Sequence, residues 1–292
     1  MAAISKRLAS RAPSIAIGRI GLWAALIVVF VIMVTPFAWM VSTSLKRPAD
    51  IYAPTPKLLP RDLNTGELYL TFENYRYVLA SRGLGRAFLN SLIVVGVLVP
   101  VKLLINALAA YAFARIPFPG RDKLFLLLLG SIMVPGIALL IPRVFVTQSL
   151  GLYNTLGGII VPLAVSVFDV FLIRQFFLTL PVELEEAAMI DGAGRLRIFW
   201  QIAVPLARPV LAVVTITSFI FHWNDFLWPL VIINNPDRYT LPIALALLNS
   251  TEVARPYYTM AGATIAILPV ILVFLIFQRH IIDGITITGL KG

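Results

Sequence analysis

Three sets of residues in this sequence have types and spacings that can do work. The first is acidic and small: Glu183, Glu185, Glu186, Ala187, Ala188, Asp191 and Gly192, followed after a gap by Ile202 and Pro205. Carboxylates there can meet arginines or backbone donors of another protein, alanines admit its close approach, and glycine lets the chain turn. The second set is Lys102 and Asp169, charges inside otherwise apolar runs. A charge in a membrane span costs roughly 2.5–3.5 kcal/mol on insertion scales, so each needs a partner or water. The third is the run His222, Trp223, Asn224 and Asp225. Aromatic faces stack on C–H surfaces while amides and carboxylates hydrogen-bond hydroxyls, a combination that suits a sugar in a translocation pathway. The same run can equally be packing against a partner subunit, with Trp228 in an aromatic belt.

Other chemistries are excluded by what is missing. The sequence has no Cys and only two His, His222 and His280, which removes disulfides, thiolate nucleophiles and His-rich metal centres. No intramembrane Ser/His/Asp set, His-Glu-x-x-His run or paired catalytic carboxylates occurs, and no GxxxxGK[ST] phosphate loop. The chain is therefore expected to be non-enzymatic, with no cofactor and no metal of its own.

The elements that carry these residues follow from composition. Of 292 residues, 59% are hydrophobic and 13% charged. A soluble domain carries about 25% charged residues, so this chain lacks the polar groups to cover a water-facing surface. The net charge of +10 is better explained by Lys and Arg flanking membrane spans than by nucleic acid, which is not an expected partner. Six apolar runs are long enough to cross a bilayer: about 20–44, 87–112, 124–142, 157–178, 207–233 and 259–278. None alternates at period two, which disfavours a β-barrel. The expected fold is an all-α integral membrane protein of six transmembrane helices, with tails at 1–19 and 279–292 and a cytoplasmic loop at 179–206 between helices four and five. The first run is too long for a signal-peptide core and is expected to remain as a span. With both termini cytoplasmic, 13 Lys and Arg fall inside against 10 outside, seven of these in the single long segment 45–86. That segment is Pro-rich, then polar and aromatic, and is expected to be an extended connector or a docking surface with a short helix near 72–80.

Lys102 and Asp169 lie at similar depths in runs that cross in the same direction, at 1.5 Å of rise per residue. They can therefore form an ion pair, either static or part of a gate. In the 179–209 stretch, Pro181 suits a first helical turn and the three glutamates suit the positive helix end. Leu184, Ala187, Ala188 and Asp191 share a face by spacing. Gly192 and Gly194 are expected to end that helix in left-handed conformation, with a second amphipathic helix beginning near Arg195. An ordinary membrane-surface helix would carry Lys and Arg on its polar face; this one is acidic.

Glu186-Ala187-Ala188, then Gly192, then Ile202 and Pro205 at the matching interval, resemble the EAA–G–I-LP motif of the membrane subunits of bacterial ABC importers, with Val204 in place of Leu. The likeness continues in Tyr111-Ala112-Phe113-Ala114-Arg115 with Phe118-Pro119-Gly120-Arg121, in Trp223–Leu230, and in Gly289-Leu290-Lys291-Gly292, and these are similar to the carbohydrate-uptake branch, in particular the smaller, six-span subunit of maltose-type permease pairs. The resemblance implies a second related permease, two cytoplasmic ATP-binding subunits that use ATP and Mg, an extracytoplasmic solute-binding protein, and placement in the bacterial inner membrane. It implies that Glu185, Glu186, Ala187, Ala188, Asp191, Gly192, Ile202 and Pro205 couple the chain to an ATPase. Cargo could also be glycerol 3-phosphate or a glycerophosphodiester. A stand-alone secondary transporter is disfavoured by the absence of an inverted repeat.

Overall fold

The computed structural model describes residues 12–52, 57–61, 65–253 and 255–289. They are almost entirely helical; an isolated antiparallel bridge between Arg61 and Leu68 is the extended pairing among the described residues. They fall into two compact units, Met1–Tyr77 with Glu252–Thr264, and Val78–Thr251 with Ile265–Gly292.

In the first unit, α1 (Ala12–Ser44) is apolar around its whole circumference. The most apolar 18-residue window of its stretch Gly21–Ser44 has a mean hydropathy of 2.5 and buries nothing, as suits a helix solvated by lipid. The helix starts at Ala12, inside the stretch expected as an N-terminal tail; residues 1–11 lie outside the described residues. Beyond α1 the chain is pinned rather than simply extended. Buried Asn74 donates to the carbonyls of Ser44 and Lys46 at 2.8 and 2.9 Å, and Ser44 Oγ meets Tyr75 Oη at 2.5 Å. The short helix expected near 72–80 is a four-residue α-turn, Glu73–Arg76, followed by a π-helical turn, Tyr77–Ser81.

The second unit is organised on α2 (Leu84–Arg115). Ala107, Ala110, Tyr111 and Ala114 recur at helical spacing and are buried. Small side chains let another helix approach closely, and these share a core with Val170, Ile173 and Phe177. Around α2 stand α3 (Arg121–Ser131), α4 (Leu140–Ser149), α5 (Leu156–Ile160), α6 (Val167–Thr179), α7 (Glu183–Ile190), α8 (Arg195–Ile198), α9 (Arg208–Trp223), α10 (Leu227–Ile232) and α11 (Leu241–Thr251). The last helix, α12 (Pro256–Gly289), extends beyond position 278, where a tail was expected. The end of the Gly289–Gly292 motif lies outside the described residues.

Three of the expected spans are not single rods. The run 124–142 bends by 92° between α3 and the segment that leads into α4, at Pro135. The run 157–178 bends by 44° after the 3-10 turn that contains Pro162. Its second half, α6, is capped by Ser166, whose Oγ accepts the Asp169 N–H at 3.2 Å. The run 207–233 is bent at its start and divided once within. The helical segment 195–206 meets α9 at 78° around Ala207, between Pro205 and Pro209, and α9 then stops at Trp223. The chain opens at 224–226 before α10, where Asp225 Oδ1 accepts the Trp228 N–H at 3.4 Å. Prolines remove backbone donors, and the Ser and Asp side chains satisfy the N–H groups the breaks expose. Among the described residues, three helices are long and apolar enough to cross a bilayer unaided; counting each bent pair as one broken span gives up to six.

Candidate functional site

The acidic stretch folds as a short helix and a turn. The three glutamates occupy the first turn of α7, which Val182 precedes, so Pro181 sits just outside the helix rather than in its first turn. At the other end Gly192 has φ +80. Gly192 N–H donates to Met189 O at 3.0 Å and Ala193 N–H to Ala188 O at 2.9 Å. This is a Schellman motif, with glycine in the one position that requires left-handed backbone. Gly194 does not share that role: it is extended (φ −73, ψ 160) and caps the start of α8.

The residues expected to couple the chain to an ATPase divide between two directions. Glu186, Ala187 and Asp191 are exposed. Ile190, 86% exposed, and Leu196, 65% exposed, add apolar surface. Ala188 and Ile202 are half-buried against the helical core of the same unit, so they are not free for another protein, and Pro205 is half-buried as well. Glu185 departs most from the expected outward rim: it is 3% exposed. Tyr111 Oη donates to its Oε2 at 3.2 Å, Arg115 Nε lies 3.1 Å from Oε1, and Arg195 Nη1 lies 3.7 Å from Oε2. Arg115 Nη2 also donates to Leu180 O at 2.5 Å. Residues one apart in a helix point about 100° away from each other, which is why Glu185 and Glu186 part company.

A second set assembles within the apolar helices. Lys102 Nζ is 3.0 Å from Asp169 Oδ2, 3.3 Å from Ser218 Oγ and 3.3 Å from His222 Nε2. An ammonium has three protons, and here each has an acceptor. Asn106, fully buried, donates to Asp169 Oδ2 at 3.4 Å and accepts the Ser166 N–H at 3.2 Å. With Nε2 accepting from Lys102, the His222 proton is assigned to Nδ1, which is buried without a hydrogen-bond partner among the described residues. The sequence joined Lys102 only with Asp169; Asn106, Ser166 and Ser218 were missed. Their signal is local: Lys102 and Asn106, and Ser218 and His222, stand four apart on apolar helices and so share a face.

Beside this network is a cavity of about 390 Å³, lined by Lys102, Gly136, Arg143, Ser166, His222 and Asp225 among others. All three broken runs contribute to it at or next to their breaks. Irregular backbone at membrane depth is tolerated where protein buries it or where it lines a cavity. Of the candidate pathway residues, His222 and Asp225 line the cavity. Trp223 does not: it is 2% exposed, stacked on Phe219, with Nε1 donating to Ala266 O at 3.0 Å. Asn224 is exposed, and its side-chain amide donates back to Ile220 O at 2.8 Å.

Apolar helices suited to lipid, broken runs around a cavity and an acidic, glycine-terminated helix agree with a membrane permease, the class that the family match shows. Residues 77–287 match the family of binding-protein-dependent transport system inner membrane components, and the chain belongs to that family. It is 39% identical to the arabinooligosaccharides transport system permease protein AraQ of Halalkalibacterium halodurans over 76% of this chain and 80% of that one. It is 35% identical to the sn-glycerol-3-phosphate transport system permease protein UgpE of Yersinia pestis over 69% of this chain and 72% of that one. Its fold is similar to that of a chain of a bacterial ABC transporter that imports the acidic polysaccharide alginate, with a TM-score of 0.75 at 24% identity over 89% of this chain and 95% of that one.

Proposed function

We propose that this chain is one permease subunit of an ATP-driven importer of a sugar or oligosaccharide. It forms half of the translocation pathway with a second related permease, crosses the bacterial inner membrane six times with both termini cytoplasmic, and receives cargo from an extracytoplasmic solute-binding protein. Two cytoplasmic subunits bind ATP and Mg; this chain does no chemistry itself. The observation that carries the reading is α7, with Glu186, Ala187 and Asp191 turned outward ahead of the Gly192 turn. That acidic and apolar face fits a cleft in an ATPase subunit, and closure of the ATPases would swing α7 and so reopen the membrane cavity on the other side.

The sugar reading is supported by the balance of charge around the cavity. Lys102 is matched by Asp169, and the lining includes both Arg143 and Asp225. A neutral hydroxylated ligand then needs only hydrogen bonds from the lining side chains. The second reading, glycerol 3-phosphate or a glycerophosphodiester, is favoured by Arg143, a cation at that cavity whose guanidinium stacks 5.3 Å from the Trp228 ring centre.

The test is copurification with the ATPase subunits and reconstitution with a panel of solutes presented on the binding protein. Uptake of a neutral oligosaccharide is expected, whereas uptake restricted to a phosphate ester supports the second reading. Glu186→Lys should lower ATPase retention, since it reverses charge at the docking face. Undiminished retention would argue that α7 is not the docking element.

A further inference from the structure

We propose that Glu185 is a positioning residue that ties α7 to the end of α2, so that movement of α7 is carried into that span through Tyr111 and Arg115. The inference rests on the reading of 179–206 as the ATPase-docking loop, and gives one residue of that loop a different task from its neighbours.

The argument starts from the size of α7. It has eight residues, and isolated helices shorter than about 12–15 residues are marginal in water. Its place is therefore set by attachments. One end is the Gly192 turn, closed by two backbone hydrogen bonds with the glycine at φ +80. In the first turn is Glu185, 3% exposed and contacted by Tyr111 and Arg115 from α2 and by Arg195 of α8, beyond the Gly192 turn. A buried carboxylate does not leave its cation readily, because separation strands an uncompensated charge. Arg115 is the last residue of α2, and it also holds Leu180 O, in the link between α6 and α7. One guanidinium thus grips both the helix that would be pushed and the strand of chain leading into it. Arg195 is more exposed and more distant, and is the partner that can let go as the turn flexes.

The experiment uses the full transporter with its ATPase and binding-protein subunits. Glu185→Gln keeps the shape and the hydrogen bond from Tyr111 but removes the charge. Coupling between linked sites typically amounts to a 5- to 150-fold effect, and we expect cargo moved per ATP hydrolysed to fall by about tenfold. Arg115→Lys should retain more of that ratio than Arg115→Gln. The stoichiometry is the informative readout, since a purely structural defect lowers the yield of complex and leaves the ratio in the surviving complex unchanged. In parallel, spin labels on Glu183→Cys and Pro117→Cys, both exposed and in a chain with no native Cys, report the separation of α7 from the end of α2. That separation should be the same with and without ATP, and should become nucleotide-dependent in Glu185→Gln. Wild-type stoichiometry in Glu185→Gln, or a nucleotide-dependent separation in the unmodified chain, overturns the tie. If Glu185→Gln fails to assemble, the separation in the unmodified chain decides. Failure of the ATPase subunits to copurify with the unmodified chain overturns the docking reading, and the tie with it.

Discussion

Lys102 Nζ and Asp169 Oδ2 lie 3.0 Å apart, with each side chain only 9% exposed. Burial on this scale makes the desolvation cost of the two charges comparable to their attraction, so the pair adds little net stability as a pair. It becomes expensive only when broken.

Lys102→Met or Asp169→Leu alone should destabilise the assembled complex by about 3–5 kcal/mol, while the double variant should recover most of the loss. Thermal inactivation of detergent-solubilised complex, read over the double-mutant cycle, measures this. Additive losses would mean that the two charges do not depend on each other. Asn106 is the built-in control, because it touches Asp169 but not through a full charge.

Gly192 and Gly194 should respond differently although only Ala193 separates them. Gly192 has φ +80 and Gly194 has φ −73, and neither has an atom within 4 Å of an added Cβ. The cost of a side chain is therefore conformational, about 1–2 kcal/mol at the left-handed position and close to none at the extended one. Gly192→Val should uncouple uptake from ATP hydrolysis at normal expression, and Gly194→Ala should leave coupling intact. Equal behaviour of the two in reconstituted uptake assays would refute a special role for the left-handed Gly192 turn.

Gly158 is required for a steric reason instead. A Cβ there would stand 2.3 Å from Leu152 O and 3.1 Å from Ile232 Cγ2. Overpacking of this kind costs about 1–3 kcal/mol. Gly158→Ala should lower the thermal midpoint of the complex, whereas Gly157→Ala, whose nearest neighbours are side-chain atoms at 3.5 Å, should change it far less. The comparison of the two midpoints is the measurement.

Both α7 and the α10–α11 connection can be mapped to a side of the membrane by single cysteines, because the chain has none. A Cys at exposed Ile190 should react with an impermeant maleimide only from the cytoplasm, and one at exposed Asp237 only from outside. Labelling of Ile190→Cys in intact cells or right-side-out vesicles would contradict a cytoplasmic docking loop.

The composition and the length of the apolar runs determined the class of fold, because a bilayer demands about 20 apolar residues per crossing and leaves few alternatives. The Gly192 turn was likewise determined locally, since the left-handed cap is a property of one residue and its four predecessors. Lys102 and Asp169 announced a need for partners through charge alone, although their acceptors Ser218 and His222 stand over a hundred positions from Lys102.

The tertiary structure alone decided where the helices break and which way their side chains point. The prolines near 135, 162, 205 and 209 marked possible bends, but a proline in a membrane helix can equally be absorbed without one. At Pro269 the same residue type lies inside an unbroken helix. The direction of Glu185 was likewise invisible, because a helix of two turns presents every side chain to some surface and only its docking partners choose which surface is buried. Those partners are Tyr111 and Arg115, seventy or more residues away. Sequence spacing fixed that Glu185 and Glu186 would diverge; the packing of α7 beside α2 fixed that Glu185 would be the one held inside.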